Sequence, residues 1–441
     1  MLGILTLLGT ITTGTLGTIP WSYSYDVFPA VWFGGSKTHW ESAAQLAELG
    51  KYSLAVLGWQ HLTEAGDWDA VVYLQLSQAA GIKRVNPLLP VFCYASLGWA
   101  FAQNAAVLPL MSNPMYASFF LQSTDGPEYS KTNCQQMDSN NPRCIGWFWN
   151  FANSSARNYY VEKVVLPLAT ATTIDGVFFD AVNFGYDIPE YRPWGRPVVN
   201  IPRCGVNDTW DGCEALVAGT LDVVTRSVQL LNRFGKVAML SNPASYSRPV
   251  GAKIWLDETR LVKALDGLTW LRYYEQARAE EMVADPKAGA ALIEDMLKEG
   301  DAGVASGMHS YYHRPRPELN QTGPEDPTAH IAAFMLVRRE LWYYTGSTGW
   351  FDRDFKWSSV YDDAAKCGRP LAPAMRPAPR VYTREYERCH VMVNCTKVSS
   401  SWPQLGCNGA IFPLSSDAHA QSPSLIPSPP RLAVEGMNSL F

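Results

Sequence analysis

Between residues 26 and 351 short apolar, β-prone runs alternate with longer stretches of helical pattern, and this alternation constrains the fold more than any other feature. The runs are VFPAVWF (27–33), YSLAVLGW (52–59), LPVFCYA (89–95), DGVFFD (175–180), KVAMLS (236–241), AKIWLD (252–257) and AGVASGMH (302–309), and residues 344–351 supply an eighth. Helical spacing falls between them at 39–50, 70–81, 115–123, 155–170, 211–234, 260–283, 286–299 and 327–343. Strands joined through helices run parallel, because the crossover returns the chain to the same end of the sheet. About eight such units over about 330 residues match a (β/α)8 TIM barrel, a fold of about 200 to above 400 residues. An open doubly wound sheet is the alternative. No GxGxxG or GxxxxGKS/T follows any run, so its nucleotide-binding versions lose their main support.

After Trp357 the texture changes. Residues 364–380 are rich in Pro, Gly and Ala, and the alternating runs RVYTREYE, HVMVNCTK and GAIFPL follow. They read as a small antiparallel β-unit. The expected division is a leader at 1–18, a catalytic barrel at 19–357, a small β-domain at 358–412 and a Ser/Pro-rich disordered tail at 413–441. No internal repeat is visible.

The first 18 residues carry no charge and are moderately apolar, with Thr15-Leu16-Gly17 as a small-residue cleavage site, which suits a secretory signal that lacks a basic start. Their Gly and Thr content argues against a spanning helix, and no integral membrane span is expected. Sequons at Asn153, Asn207, Asn320 and Asn394 agree with export. So do the close cysteine groups: Cys134 with Cys144, Cys204 with Cys213, and Cys389, Cys395 and Cys407 with Cys367 upstream. Cys93, inside VFCYA, reads as a buried free thiol, and nine cysteines leave at least one without an intrachain partner. A secreted or lumenal protein is the expectation. No oligomeric state follows from the sequence.

Charged residues make up only 17% of the chain and the net charge is −5, with no basic run longer than Lys83-Arg84 or Arg338-Arg339, so nucleic acid is not an expected partner. Aromatic residues are plentiful, with 16 Trp, 21 Tyr and 17 Phe. That balance suits an uncharged ligand with flat apolar faces, such as a carbohydrate.

In a (β/α)8 barrel the site lies at the C-terminal ends of the strands. On the runs above those ends carry Trp32, Trp59, Tyr94, Asp180 with Asn183 beyond, Asn242, Asp257 with Glu258, and His309 with Tyr311. The ring has Trp, Tyr, Asn and carboxylates but no Lys or Arg, and suits a neutral polyol better than a phosphate. Trp147 and Trp149 either line a sugar subsite or fill the core. Arg157 reads as an anchor for a loop, and Asp175 as a turn or cap at the barrel's bottom. Glycoside hydrolysis needs two carboxyls across the scissile bond, and only strands four and six offer acids. Asp180 is the expected nucleophile or base, the alternative being a carboxylate that caps the next helix or bonds loop amides. Period two lets only one of Asp257 and Glu258 face inward, and Glu258 is favoured as the acid. There is no GxSxG, no HExxH and no His cluster with metal-ligand spacing, so no metal or cofactor is expected.

The run IDGVFFDAVN resembles the strand-four signature of TIM-barrel glycoside-hydrolase-like proteins. These include the hypothetical glycosyl hydrolase families and the endo-polygalactosaminidase and α-galactosidase-like barrels. WNFANSSARNYY is similar to their helix, with its Arg, that leads into strand four. FMLVRRELWYYTGSTGWFDRDFKW and VYTREYERCHVMVNCT resemble their last helix and strand and a short β-appendage. The resemblance covers most of residues 27–397 in order. It implies a glycoside hydrolase acting on a polysaccharide or glycan. In α-galactosidase-like barrels the nucleophile is an Asp ending strand four and the acid/base follows strand six. Asp180 matches the first position, and Asp257 or Glu258 approximately matches the second. Two further classes share the same features: a carbohydrate-binding barrel without catalysis, and a structural cell-surface glycoprotein that uses the barrel as a scaffold.

Overall fold

The computed structural model describes residues 18–34, 42–58, 71–101, 104–123, 126–127, 129–130, 146–180, 214–241, 258–275, 286–301, 305–311, 327–347, 357–396 and 407–414. Eight parallel strands form one sheet in chain order: β1 (Val31–Gly34), β2 (Leu54–Leu57), β3 (Val91–Ser96), β4 (Gly176–Asp180), β5 (Val237–Ser241), β6 (Trp270–Glu275), β7 (Ser306–Tyr311) and β8 (Trp342–Ser347). The two ends of the sheet meet where Ala30 bridges Tyr344 and the Tyr344 amide donates to the Pro29 carbonyl at 2.9 Å. This nearly closes the barrel.

Period two sorts each strand into an inner and an outer set. Val31 and Phe33, Leu54 and Val56, Phe92, Phe178, Val237 and Met239, Leu271 and Tyr273, and Tyr343 pack together as the barrel interior. Their neighbours Trp32, Ala55, Cys93, Val177, Ala238 and Tyr344 pack outward against the helices. At the interior position 176 the Phe92 ring and the Val237 carbonyl occupy the place of a Cβ, so only glycine fits. The helix Glu214–Arg233 buries Leu216, Val223, Val224, Val228 and Leu231 along one stripe. Helix Thr328–Val337 is buried at Ala329 and at every later position.

The bottom of the barrel is sealed from within the chain. Ile19 belongs to the interior cluster, and Trp21 and Tyr23 pack against it. Trp21 Nε1 donates to Tyr343 Oη at 2.8 Å, and Arg338 Nε donates to Tyr23 Oη at 2.8 Å. Asp175 also works at this end. It accepts from the Val91 amide at 2.7 Å and pairs with Lys83 at 2.6 Å.

Four parts of the sequence reading change. Strand six is not 252–257, of which nothing is described, but Trp270–Glu275, which pairs in parallel with β5 and β7. The helix expected over 260–283 is a short one, Glu258–Ala264, that ends before Gly267 at φ 72°. Residues 115–123 form a 3-10 turn (Pro114–Phe119), capped by Asn113, and the strand residues Gln122–Ser123 rather than a helix. The last helix also stops at Val337, so strand eight starts at Trp342. The helix leading to β4 contains a π segment, Tyr160–Val165, between Ser154–Tyr159 and Leu166–Thr170. Pro167 has no N–H for the carbonyl of Lys163, and the wider turns upstream absorb the missing bond.

Beyond the barrel, β9 (Met375–Ala378), β10 (Val381–Glu385), β11 (Cys389–Asn394) and β12 (Asn408–Pro413) form an antiparallel sheet. Disulfides join Cys367 to Cys389 and Cys395 to Cys407. The sheet lies on helix Thr328–Val337, where Gly409 leaves room for the Ala329 backbone and the Ala332 methyl. Cys93 is buried and free, and burial pushes its thiol up to about 12. Residues 1–17 of the leader expected at 1–18, Cys134, Cys144, Cys204, Cys213 and residues 415–441 of the tail expected at 413–441 lie outside the described residues.

Candidate active site

The C-terminal end of β4 places one carboxylate at the top of the barrel interior. Phe178 is an interior residue, and Asp180, two positions on, shares its side of the strand. Beneath it the rings of Phe33, Phe178 and Tyr273 form a floor, with centroids 4.9–5.5 Å apart. These three are almost wholly buried, so the carboxylate stands on an apolar base while itself remaining partly exposed. Tyr94, an interior-side residue of β3, donates from Oη to Asp180 Oδ2 at 3.0 Å. Burial, and after it the Asp180 carboxylate, holds the Tyr94 phenol well above its usual value. The phenol therefore stays protonated and remains a donor to Asp180. The backbone also ties the two strands here: Ser96 is in register with Asp180, and the Leu97 amide donates to the Asp180 carbonyl at 2.9 Å.

The acid that ends strand six is Glu275. It lies two positions beyond the interior residue Tyr273 and is in register with His309 on β7. His309 and Tyr311 occupy the interior-parity positions of β7 that follow Ala305 and Gly307. Glu258 instead opens the helix that precedes β6, and Asp257 lies outside the described residues. Glu258 is therefore not at the end of a described strand of the barrel sheet. The sequence signal for the true strand was Asp266-Gly267, a helix stop, followed by the β-prone TWLRYYE.

Two aromatic candidates are placed away from the barrel mouth. Trp32 is 7% exposed and packs into the helix layer, because the strand's period gives the interior to Val31 and Phe33. Trp149 is 1% exposed, tilted over Phe120 and stacked parallel to Phe151, with Tyr160 edge-on, so it fills the core. Arg157 holds the turn before its helix: its NH1 donates to the Phe151 carbonyl at 2.8 Å, and its Nε lies 2.9 Å from Asp222 Oδ2. Trp59, Asn183 and Asn242 lie outside the described residues. Among the described residues no group of three or more His, Cys, Asp or Glu could hold a metal, and no helix is long and apolar enough to cross a membrane.

An eight-stranded parallel barrel with a carboxylate at the top of its interior and an antiparallel appendage is a glycosidase-like barrel. The chain belongs to hypothetical glycosyl hydrolase family 15, whose sequence model matches residues 83–390. A comparison with curated proteins finds no match. Among solved structures, the chain is similar to the cyclic α-maltosyl-(1→6)-maltose hydrolase of Arthrobacter globiformis, with a TM-score of 0.47 and 10% identity over 88% of this chain and 100% of that one. It is also similar to an α-amylase of Malbranchea cinnamomea (TM-score 0.43, 8% identity, 87% and 94% covered). The PgaB (BpsB) glycoside hydrolase domain of Bordetella bronchiseptica gives a TM-score of 0.42 and 14% identity, with 72% and 93% covered.

Proposed function

We propose that the chain is a glycoside hydrolase acting on a neutral polysaccharide or glycan, with Asp180 and Glu275 as its working carboxyls. The observation that carries this reading is Asp180 at the strand-four end, on an aromatic floor and hydrogen-bonded by Tyr94. A carboxylate held by a hydrogen-bond donor is fixed in orientation, as a nucleophile or base must be. Glu275 supplies the second acid from strand six in place of Glu258 or Asp257. Strands four and six are separated by β5 alone, which puts their C-terminal ends on the same rim of the barrel. A separation near 5 Å gives retention of configuration and a wider one gives inversion. His309 and Tyr311 are candidate sugar contacts on the neighbouring strand. The two disulfides support an extracellular or lumenal setting.

Reducing-sugar release from a panel of neutral polysaccharides tests the reading, with Asp180→Asn and Glu275→Gln compared with wild type. Wild-type activity should fall by about three orders of magnitude or more in each variant, the scale lost when a catalytic group is removed. Activity that survives Asp180→Asn overturns the site. Glycan binding without turnover by the wild type favours the non-catalytic barrel.

A further inference from the structure

We infer that Asn394 is an N-glycan acceptor and that Asn153, which also heads a sequon, is not. Along β11 the side chains alternate: Val391 and Val393 are buried, while His390, Met392 and Asn394 lie on the partly exposed side. Asn394 is the last residue of that strand, and Thr396 just beyond it is exposed. The Asn394 carboxamide is held through its oxygen only. Oδ1 accepts from the Thr396 amide at 2.9 Å and from Thr396 Oγ1 at 2.7 Å. No hydrogen bond of its Nδ2 occurs within the described residues. The Cys395–Cys407 disulfide and the bond from the Cys395 amide to the Arg380 carbonyl at 2.8 Å fix the turn around it. A sugar on Nδ2 therefore displaces no bond of the fold.

Asn153 uses both ends of its carboxamide. Its Oδ1 caps the helix beginning at Ser154 by accepting from the Ser155 amide at 2.9 Å. Its Nδ2 donates to the Ser118 carbonyl at 3.2 Å and to Ser118 Oγ at 3.1 Å. The nitrogen that would carry the sugar is thus turned into the neighbouring segment. Glycosylation would remove one of its protons, put a bulky group against Ser118 and pull the cap away from the helix. The sequons at Asn207 and Asn320 lie outside the described residues.

The modification is a group transfer from a lipid-pyrophosphate-linked oligosaccharide of the secretory pathway. Nδ2 attacks the anomeric carbon, an N–C bond forms and the C–O bond to pyrophosphate breaks. Nδ2 gives up one proton and the lipid pyrophosphate leaves. The inference depends on passage through that pathway and not on hydrolase activity. A foreign secretory leader placed ahead of the full chain makes the test independent of residues 1–17.

The test is site occupancy in protein secreted by eukaryotic cells. Peptide-N-glycosidase digestion in heavy-oxygen water marks each released site as labelled Asp in peptide mass spectra. The expected result is label at Asn394 and none at Asn153 in the folded, secreted wild type. Thr396→Val should abolish the label at 394, whereas Thr396→Ser should keep it. An unmodified Asn394, or a labelled Asn153 in folded secreted protein, overturns the inference.

Discussion

Replacing Arg384 by Met should destabilise the whole chain, although the residue belongs to the appendage. Arg384 comes from β10 and is 4% exposed. Its NH1 donates to the carbonyls of Met335, Leu336 and Arg338 at 3.3, 2.9 and 2.7 Å, and its Nε to that of Ala372 at 3.0 Å. Helix Thr328–Val337 has no basic residue in its last turn, so the appendage supplies the cation that its terminal carbonyls lack. Met335 keeps a second donor in Tyr386 Oη at 2.6 Å. Met at position 384 therefore orphans two buried carbonyls, those of Leu336 and Arg338, each costing about 1–3 kcal/mol, while the exposed Ala372 can turn its carbonyl to water. Part of this is offset because the guanidinium no longer has to be buried, a cost visible in its lowered pKa. The net loss should be about 3 kcal/mol. The assay is guanidinium unfolding followed by tryptophan fluorescence and far-ultraviolet circular dichroism. Both probes should shift to lower denaturant together, because the same helix leads through Arg338 to the bottom plug. A loss below about 1 kcal/mol, less than one orphaned carbonyl, would refute the capping argument. So would a separate early transition of the appendage with the barrel unmoved.

Tyr94→Phe should lower kcat about tenfold to a hundredfold with little change in KM, since it removes one hydrogen bond, worth about 1.5–3 kcal/mol, to a charged group; steady-state kinetics on whichever polysaccharide proves to be the substrate will check this. Gly176→Ala should leave little folded protein, because a methyl there overlaps the Phe92 ring and the Val237 carbonyl, and soluble yield with circular dichroism reads the result. Burial raises the phenols of Tyr52, Tyr160, Tyr343 and Tyr386 above their usual 10. The unfolded chain then loses protons first as pH rises, so stability is intact below pH 10 and falls above it. Each such tyrosine contributes a slope of about 1.4 kcal/mol per pH unit, and tyrosinate absorbance should appear together with unfolding. The Cys93 thiol should resist alkylation in native buffer and react at the rate of global unfolding, because it is wholly buried and its thiolate is disfavoured.

Most of the barrel is legible in the sequence because most of its strands have apolar residues on both faces, as a parallel sheet covered by helices requires. Strand six is not, and the reason is Arg272. Its outward position on β6 is 1% exposed, so a charged residue stands where the pattern of a buried strand calls for an apolar one. With Arg260, Lys263 and Asp266 upstream, it gives 260–283 the look of an amphipathic helix. AKIWLD then takes the place of the strand on local propensity alone. Trp32 is misplaced for a different reason. A strand's period tells which residues share a side, but not which of the two sides is the interior, and Trp32 fell on the helix side.

The corrected strand changes the chemistry more than the topology. With strand six at 252–257 the second acid would follow β5 by only 16 or 17 residues, at the entrance to a helix. A carboxylate at a helix N-terminus has an ordinary use, offsetting the unpaired amides of the first turn, and needs no substrate to explain it. An acid at the end of a barrel strand, in the parity of buried interior residues, lies instead at the end where barrel active sites are built. Leu271 and Tyr273 set that parity on β6, and Phe178 sets it on β4. Asp180 and Glu275 are where those two interior rows stop being apolar, at the same end of the barrel. The test of this step is the double variant: Asp180→Asn with Glu275→Gln should be no slower than the slower single variant if the two carboxyls serve one reaction. Losses that multiply would mean that the two acids act independently.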